Sequence, residues 1–281
     1  MAQSRNIDPY SLSVAALIVT YNPDHRLLDG LTNLTSLVDY VVVVDNGSIR
    51  TNVIDRVKDV VPVNKWFIIK LGQNFGIAYA LNRGIEHIIA NTNCGYVLTL
   101  DQDTIILLED IKKVIIKVNS NYKDVGIIAL TEKAGLKLPE FSEIAFPITS
   151  GNIVKMDVFD KIEYRDDFFI DGVDFDFDYE VRKFGYSIVK YNFHSIDHRL
   201  GIKKNGLLYE PDYRIYYIIR NSTVLLIEKK INLKMYTFQA FMWIMFSILN
   251  GKLYHSIVAL ISGFIDGINH NLGKNSTFYP K

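Results

Sequence analysis

The chain has a single cysteine, Cys94, among 281 residues. One thiol excludes an internal disulfide and a cysteine-built zinc cage, and it fits a reducing, cytosolic setting. Net charge is absent too, because 31 Lys and Arg balance 31 Asp and Glu. That balance argues against a partner recruited by bulk charge, nucleic acid above all. No G-x-G-x-x-G follows the first apolar run, and no G-x-x-x-x-G-K-S/T occurs, so a dinucleotide site of the Rossmann kind and a P-loop are both disfavoured. The first residues, MAQSRNIDPY, have no apolar core of the kind a signal peptide needs. No internal repeat or low-complexity tract is visible.

Apolar residues make up 49% of the chain, enough for a sizeable core. In the first half, short β-rich runs alternate with helical patterns. VAALIVT (14–20) reads as a strand buried on both faces and YVVVVD (40–45) as another buried strand, with KWFIIKL (65–71), YVLTL (96–100) and VGIIAL (125–130) as further strands. HRLLDGLTNL (25–34) and GIAYALNRGIEHII (76–89) read as helices. This alternation predicts an α/β fold around a mostly parallel sheet flanked by helices. In such sheets ligands bind beyond the carboxyl ends of the strands. The polar signals fall there, at Thr20-Tyr21-Asn22-Pro23, Asp45-Asn46-Gly47-Ser48, Gly72-Gln73-Asn74-Phe75-Gly76 and Asp101-Gln102-Asp103. Turn and capping chemistry accounts for residues such as Asn22 and Ser48. It does not account for two acids one residue apart, nor for Asp45 directly after a run of valines.

Asp101 and Asp103 leave an extended segment on the same face. Two like charges there are costly unless they are solvated or neutralised. One reading is a solvated turn. The other is a pair of oxygen ligands for a hard divalent cation, Mg²⁺ or Mn²⁺, whose open positions take phosphate oxygens.

Taken together, IVTYNP, VVVVDNGS, NFGIAYALNRGI, LTLDQDT and TSGNIV, in that order, resemble the inverting nucleotide-sugar glycosyltransferases of family 2, which have the GT-A fold. The Asp-Gln-Asp motif and IDGINHNLGK (265–274) are most similar to the bacterial rhamnosyltransferases of that family. The resemblance implies a nucleotide site built from Thr20, Tyr21, Asn22, Asp45, Asn46, Asn74, Gly76, Asp101 and Gln102. It implies a metal held by Asp101, Asp103 and His198, with His194 in reserve. Ser150 and Gly151 of TSG would touch the donor sugar. Inversion needs one carboxylate to take the acceptor's proton, and Asp174 aligns with the family's base, although Val173 stands where many members have glutamate. Nearby acids and aromatics are expected to raise its pKa. Asp171, Arg214, Tyr217, Arg220 and Asn221 are candidates for the donor-sugar, acceptor or phosphate side, with Arg–acid pairing inside the fold as the other reading of the arginines.

The expected organisation is a GT-A domain over 1–228, with a nucleotide-sugar half to about 130 and an acceptor half from about 131. An apolar helical segment over 229–281 follows. MYTFQAFMWIMFSIL (235–249) and SIVALISGFI (256–265) are each shorter than the roughly 20 residues of a spanning helix. They read either as buried or dimer-forming helices, or as a pair lying on the inner face of the cell membrane with Lys229, Lys230, Lys234 and Lys252 near the headgroups. The implied activity is metal-dependent transfer of a sugar, L-rhamnose from dTDP-L-rhamnose, to a lipid-linked glycan in surface-polysaccharide (O-antigen) synthesis. The alternatives are a UDP-sugar donor, a D-x-D phosphatase or phosphotransferase, and a non-catalytic nucleotide- or glycan-binding module. The phosphatase reading puts the motif on the first strand, whereas here it ends the fourth.

Overall fold

The computed structural model describes residues 11–62, 64–132, 138–199, 202–204, 207–209, 212–249 and 253–279. The first ten residues and the break at 250–252, with Lys252, lie outside the described residues. The chain forms two compact units. One gathers the described residues of 1–75, 80–163 and 178–198, and the other those of 76–79, 164–177 and 199–281.

In chain order the strands are β1 (Val14–Thr20), β2 (Tyr40–Asp45), β3 (Trp66–Lys70), β4 (Tyr96–Asp101), β5 (Ile105–Ile106), β6 (Val125–Thr131), β7 (Phe141–Glu143), β8 (Asn152–Lys155), β9 (Ser187–His194), β10 (Ile196–Asp197), β11 (Ile202–Lys204) and β12 (Leu207–Tyr209). The helices are α1 (Arg26–Leu34), α2 (Val57–Val60), α3 (Ile77–Asn91), α4 (Ile111–Asn121), α5 (Val173–Lys183), α6 (Asp212–Ile227), α7 (Leu233–Leu249) and α8 (Leu253–Ile268).

The first unit is built on an eight-stranded sheet of order β3-β2-β1-β4-β8-β6-β9-β7. β1, β2, β3 and β4 run parallel, as do β6 and β9, while β8 and β7 are antiparallel to their neighbours. The predicted parallel sheet is therefore interrupted by the antiparallel β8, which is too short, at four residues, to stand out in the sequence. Because β8 runs against β4, its entry loop arrives where β4 ends. One face of the sheet presents Val14, Ala16, Ile18, Val41, Val43, Leu98 and Ile128, and packs with Leu27, Leu28, Leu31 and Leu34 of α1 and Ile111, Val114, Ile115 and Val118 of α4. Each fully buried leucine is worth about 1.5–3 kcal/mol. The other face meets α3, where a Cβ at Gly84 would come within 2.2 Å of Leu17 Cδ1. The neighbours of β1 are β2 on one side and β4 on the other. Chain order thus reverses at β1, which opens a crevice at the carboxyl ends of these strands.

The second unit carries the β11–β12 hairpin, α6, α7 and α8. α6 and α8 approach closely through glycines. A Cβ at Gly263 would lie 2.5 Å from the Tyr216 carbonyl oxygen, and one at Gly267 would lie 2.7 Å from that of Arg220. The Asp266 carboxylate accepts the Tyr216 hydroxyl at 2.6 Å. IDGINHNLGK thus acts as the clasp of α8 onto α6. The other side of α8 exposes Tyr254, Ile257, Val258, Ile261, Phe264, Ile265 and Ile268. Among the described residues no helix is long and apolar enough to cross a membrane.

Gly263→Ala forces the α6 backbone away and is expected to cost about 1–3 kcal/mol. Urea unfolding checks this, with Ser262→Ala, a change beside that contact, as the reference variant.

Candidate active site

Asp101 and Asp103 emerge at the end of β4, and backbone turns fix how they face. The Thr104 N–H donates to the Asp101 carbonyl at 3.1 Å. The Asp101 N–H donates to Ser150 Oγ at 2.9 Å, and Thr104 Oγ1 and Ser150 Oγ share a hydrogen bond of 2.8 Å. The Gly151 N–H reaches the Thr99 carbonyl at 2.8 Å, and Gly151 holds a φ of +90°, which favours glycine. Ser150 is buried. TSG therefore shapes the acidic turn from behind. The middle residue of the motif also works as a clasp. Gln102 Oε1 accepts the Tyr21 N–H at 2.8 Å, and its Nε2 donates to the Tyr21 carbonyl at 3.3 Å, tying the ends of β1 and β4 together.

His198 arrives from the far side of the same unit. β10 pairs antiparallel with β5, Ile196 opposite Ile106 and Asp197 opposite Ile105. His198 Nε2 then stands 3.3 Å from Asp101 Oδ2 and 3.5 Å from Asp103 Oδ1. One ligand atom from each of the three lies within 4.8 Å of the other two. Two further residues, Arg26 and Glu132, border this arrangement, and Arg26 holds it. Arg26, first in α1, donates from Nε to the Asp103 carbonyl at 2.6 Å and from Nη2 to the Asp197 carbonyl at 3.1 Å, and it pairs with the Asp197 carboxylate at 2.8 Å. Glu132 follows β6, with Oε1 3.9 Å from His198 Nδ1. Nothing in the sequence singles out Arg26. Glu132 was within reach of the strand-end rule, because β6 stops at Thr131. The reserve residue, His194, sits at the exposed end of β9, in register with Thr131.

Burial disfavours charge on both sides of this cluster. It pushes Asp103 above the usual carboxylate range, with Asp101 adding repulsion and His198 opposing it. For His198 burial works against the cation, but hydrogen bonding to Asp101 and the charges of Asp101, Asp103 and Glu132 outweigh it, and the pKa rises. Two carboxylate oxygens and one imidazole nitrogen suit Mn²⁺ better than Mg²⁺, which prefers oxygen ligands throughout. The buried Nδ1 of His198 and Oε1 of Glu132 have no hydrogen-bond partner among the described residues.

The neighbouring strand ends are stitched into one surface. Asn22 Oδ1 accepts the N–H groups of Ile49 and Arg50 at 2.9 and 3.1 Å, and the Asn22 N–H donates to Ser48 Oγ at 2.7 Å. Asp45 is buried and accepts the Ser48 N–H at 3.1 Å. Asn46 donates to Asn74 Oδ1 at 3.1 Å and accepts the Phe75 N–H at 2.9 Å. Thr20 is buried with its hydroxyl on the Val44 carbonyl.

The remaining candidates belong to the second unit. Gly76, expected to give close approach to a nucleotide, gives it to protein: a Cβ there would meet the Phe169 carbonyl oxygen at 2.4 Å. Asp174 opens α5, with Oδ1 accepting the Phe175 N–H at 3.0 Å. The loop before it is contorted, with φ of +63° at Phe169, +61° at Asp171 and +76° at Gly172. Asn221 holds that loop by donating to the carbonyls of Phe168, Ile170 and Asp171 at 3.0, 2.9 and 2.7 Å. Arg220 donates to the carbonyls of Phe168 at 2.9 Å and Gly273 at 2.6 Å. Arg220, Asn221 and Tyr217 are each 0% exposed, so they brace the loop from inside. Arg214 forks onto the Asp171 carboxylate, which is the intramolecular pairing foreseen for the arginines.

Residues 15–152 match the family model described as glycosyl transferase family 2. The chain is 32% identical over 248 residues to the dTDP-rhamnosyl transferase RfbF of Shigella flexneri, spanning 76% of this chain and 80% of that protein. The chain belongs to glycosyl transferase family 2. Among solved structures it is similar to S. aureus TarS 1-349 in complex with UDP-GlcNAc, with a TM-score of 0.54 and 15% identity over 76% of this chain and 66% of that one. It is also similar to GalNAc-T7 with UDP, GalNAc and Mn²⁺, with a TM-score of 0.61 and 10% identity over 78% of this chain. It spans 48% of that GalNAc-T7 chain and 39% of another TarS chain. At such identities the likeness shows the fold, and that fold is GT-A, as the motifs implied.

In metal-free protein, His198 is expected to titrate above the ordinary histidine value of about 6.5. The stabilisation it contributes is therefore full below that value and fades as pH rises through its folded pKa. Imidazole NMR with chelator present checks this, and Asp101→Asn should bring the pKa down.

Proposed function

We propose that this family 2 glycosyltransferase transfers L-rhamnose from dTDP-L-rhamnose, with inversion, to a lipid-linked glycan of surface-polysaccharide synthesis, at the cytoplasmic face of a membrane. The observation that carries the reading is the convergence of Asp101, Asp103 and His198 at the ends of β4 and β10, in a chain 32% identical to a dTDP-rhamnosyl transferase. The three side chains would hold Mg²⁺ or Mn²⁺. When bound, that ion would supply positive charge to the diphosphate leaving group. Asp45, Asn46, Asn74 and Tyr21 would line the nucleotide beyond the carboxyl ends of β1, β2 and β3.

Asp174 would take the acceptor hydroxyl's proton as general base. Its position supports that role. Three positive-φ conformations, at Phe169, Asp171 and Gly172, are held in the loop just before it, by Asn221, Arg220 and the Arg214–Asp171 pair. Such strain persists where surrounding structure over-determines it, commonly at functional sites. The exposed apolar face of α8 supports an acceptor presented at a lipid surface.

A panel of nucleotide-sugars with Mn²⁺ or Mg²⁺, scored by nucleoside-diphosphate release with lipid-linked and soluble acceptors, tests the proposal. dTDP-L-rhamnose with the lipid-linked acceptor should turn over fastest, and Asp174→Asn should lose roughly 10²–10⁴-fold in rate while keeping dTDP affinity. A UDP-sugar winning the panel removes the rhamnosyl donor, equal rates on both acceptors remove the lipid, and full activity of Asp174→Asn removes the base.

A further inference from the structure

Glu132 lies in the first unit, where β6 ends. Its carboxylate is aimed at His198 by a lock between two chain segments. The Ser195 N–H donates to the Thr131 carbonyl at 2.9 Å, the Thr131 N–H donates to Ser195 Oγ at 2.9 Å, and Ser195 Oγ donates back to the Thr131 carbonyl at 3.2 Å. This lock fixes the register between the residue before Glu132 and the segment that carries His198. β5–β10 pairing and the Arg26–Asp197 contacts fix that segment from the other side. The result is a pair of buried polar atoms, Glu132 Oε1 and His198 Nδ1, 3.9 Å apart and each without a hydrogen bond among the described residues. Buried polar atoms left unsatisfied are costly, on the order of 1–3 kcal/mol, so a pair of them facing each other at that distance calls for a reason.

We propose that Glu132 is the positioning residue of His198, accepting the proton on Nδ1 so that Nε2, which faces Asp101 and Asp103, is the nitrogen free to ligate when a metal is bound. A histidine that ligates a metal is neutral and carries its proton on the other nitrogen, and the acceptor of that proton sets both the tautomer and the ring orientation. A shift of the ring by about 1 Å brings the present separation into hydrogen-bond range. Glu132 approaches the nitrogen turned away from the two aspartates, and it is not one of the three residues whose ligand atoms cluster. Its role is therefore to hold a ligand rather than to be one. The assignment rests on the metal reading given above.

The experiment measures Mn²⁺ uptake by the full chain in the presence of dTDP, from the electron paramagnetic resonance signal of free Mn²⁺. The wild type, Glu132→Ala and Glu132→Gln are compared at one pH. Glu132→Ala is expected to weaken Mn²⁺ binding by about 10- to 100-fold. Glu132→Gln, whose amide oxygen can accept the same proton, should recover most of that loss. Melting temperatures measured with chelator should be similar in the two variants, both of which lack the Glu132 charge, so a difference in Mn²⁺ affinity between them reports positioning rather than folding. Wild-type Mn²⁺ affinity in Glu132→Ala overturns the assignment, as does a Gln variant no better than the Ala variant. If the wild type itself takes up no Mn²⁺ with dTDP, the metal reading fails and this assignment falls with it. That outcome is distinct from one in which the wild type binds and Glu132→Ala binds equally well.

Discussion

The repulsion between Asp101 and Asp103 is the constraint around which the first unit is organised. Two carboxylates at the tip of a buried strand are tolerable if a positive charge stands between them, and burial raises the stakes by weakening solvent screening. The protein brings His198 to that place from nearly a hundred residues away. It then spends a set of otherwise unremarkable contacts on keeping it there. Arg26 links the Asp103 and Asp197 backbones, Ser150 fills the turn from behind, and Gln102 ties that turn to Tyr21. Remove the charge pairing and these contacts would hold two partly buried acids side by side at a net cost.

The second unit handles a different problem by similar means. A non-glycine residue at positive φ is disfavoured, and here Phe169 and Asp171 both adopt it just ahead of Asp174. The cost is offset by side chains that take up the loop's carbonyls from within. Asn221 holds three of them, and Arg220, wholly buried, shares the Phe168 carbonyl, adds that of Asp167 and takes the Gly273 carbonyl that follows α8. The guanidinium also lies against the rings of Tyr216 and Tyr217, 5.6 and 4.8 Å from their centroids, so its charge is shared with carbonyl dipoles and aromatic faces. The glycines of α8 let its backbone come close enough for this network to close.

The parallel half of the sheet was readable because continuous valine, leucine and isoleucine runs buried on both faces leave few other conformations. β1 and β2 have the bounds that their apolar runs suggested. The antiparallel β8 was not, since four residues carry too little periodicity and its direction is decided by its partners β4 and β6. At the site, the residue types were legible and their jobs less so. Asp101, Asp103 and His198 meet as the motifs implied, because a strand-end D-x-D has few uses. Gln102, Ser150 and Gly76 have the polar or glycine character of ligand-contacting residues, yet their visible bonds and close contacts are to protein. Sequence cannot separate the two, since a hydrogen-bonding side chain serves a backbone amide and a substrate equally well. Arg26 and Glu132 escaped because their importance comes from pairing across the chain, Arg26 with Asp197 and Glu132 with His198, and no local pattern records it.

Soaking crystals with Mn²⁺ and collecting anomalous diffraction at the manganese edge tests the central claim most directly. A single strong peak is predicted within bonding distance of carboxylate oxygens of Asp101 and Asp103 and of Nε2 of His198. No peak at these three residues, or a peak elsewhere with the three side chains still closed on one another, would contradict it.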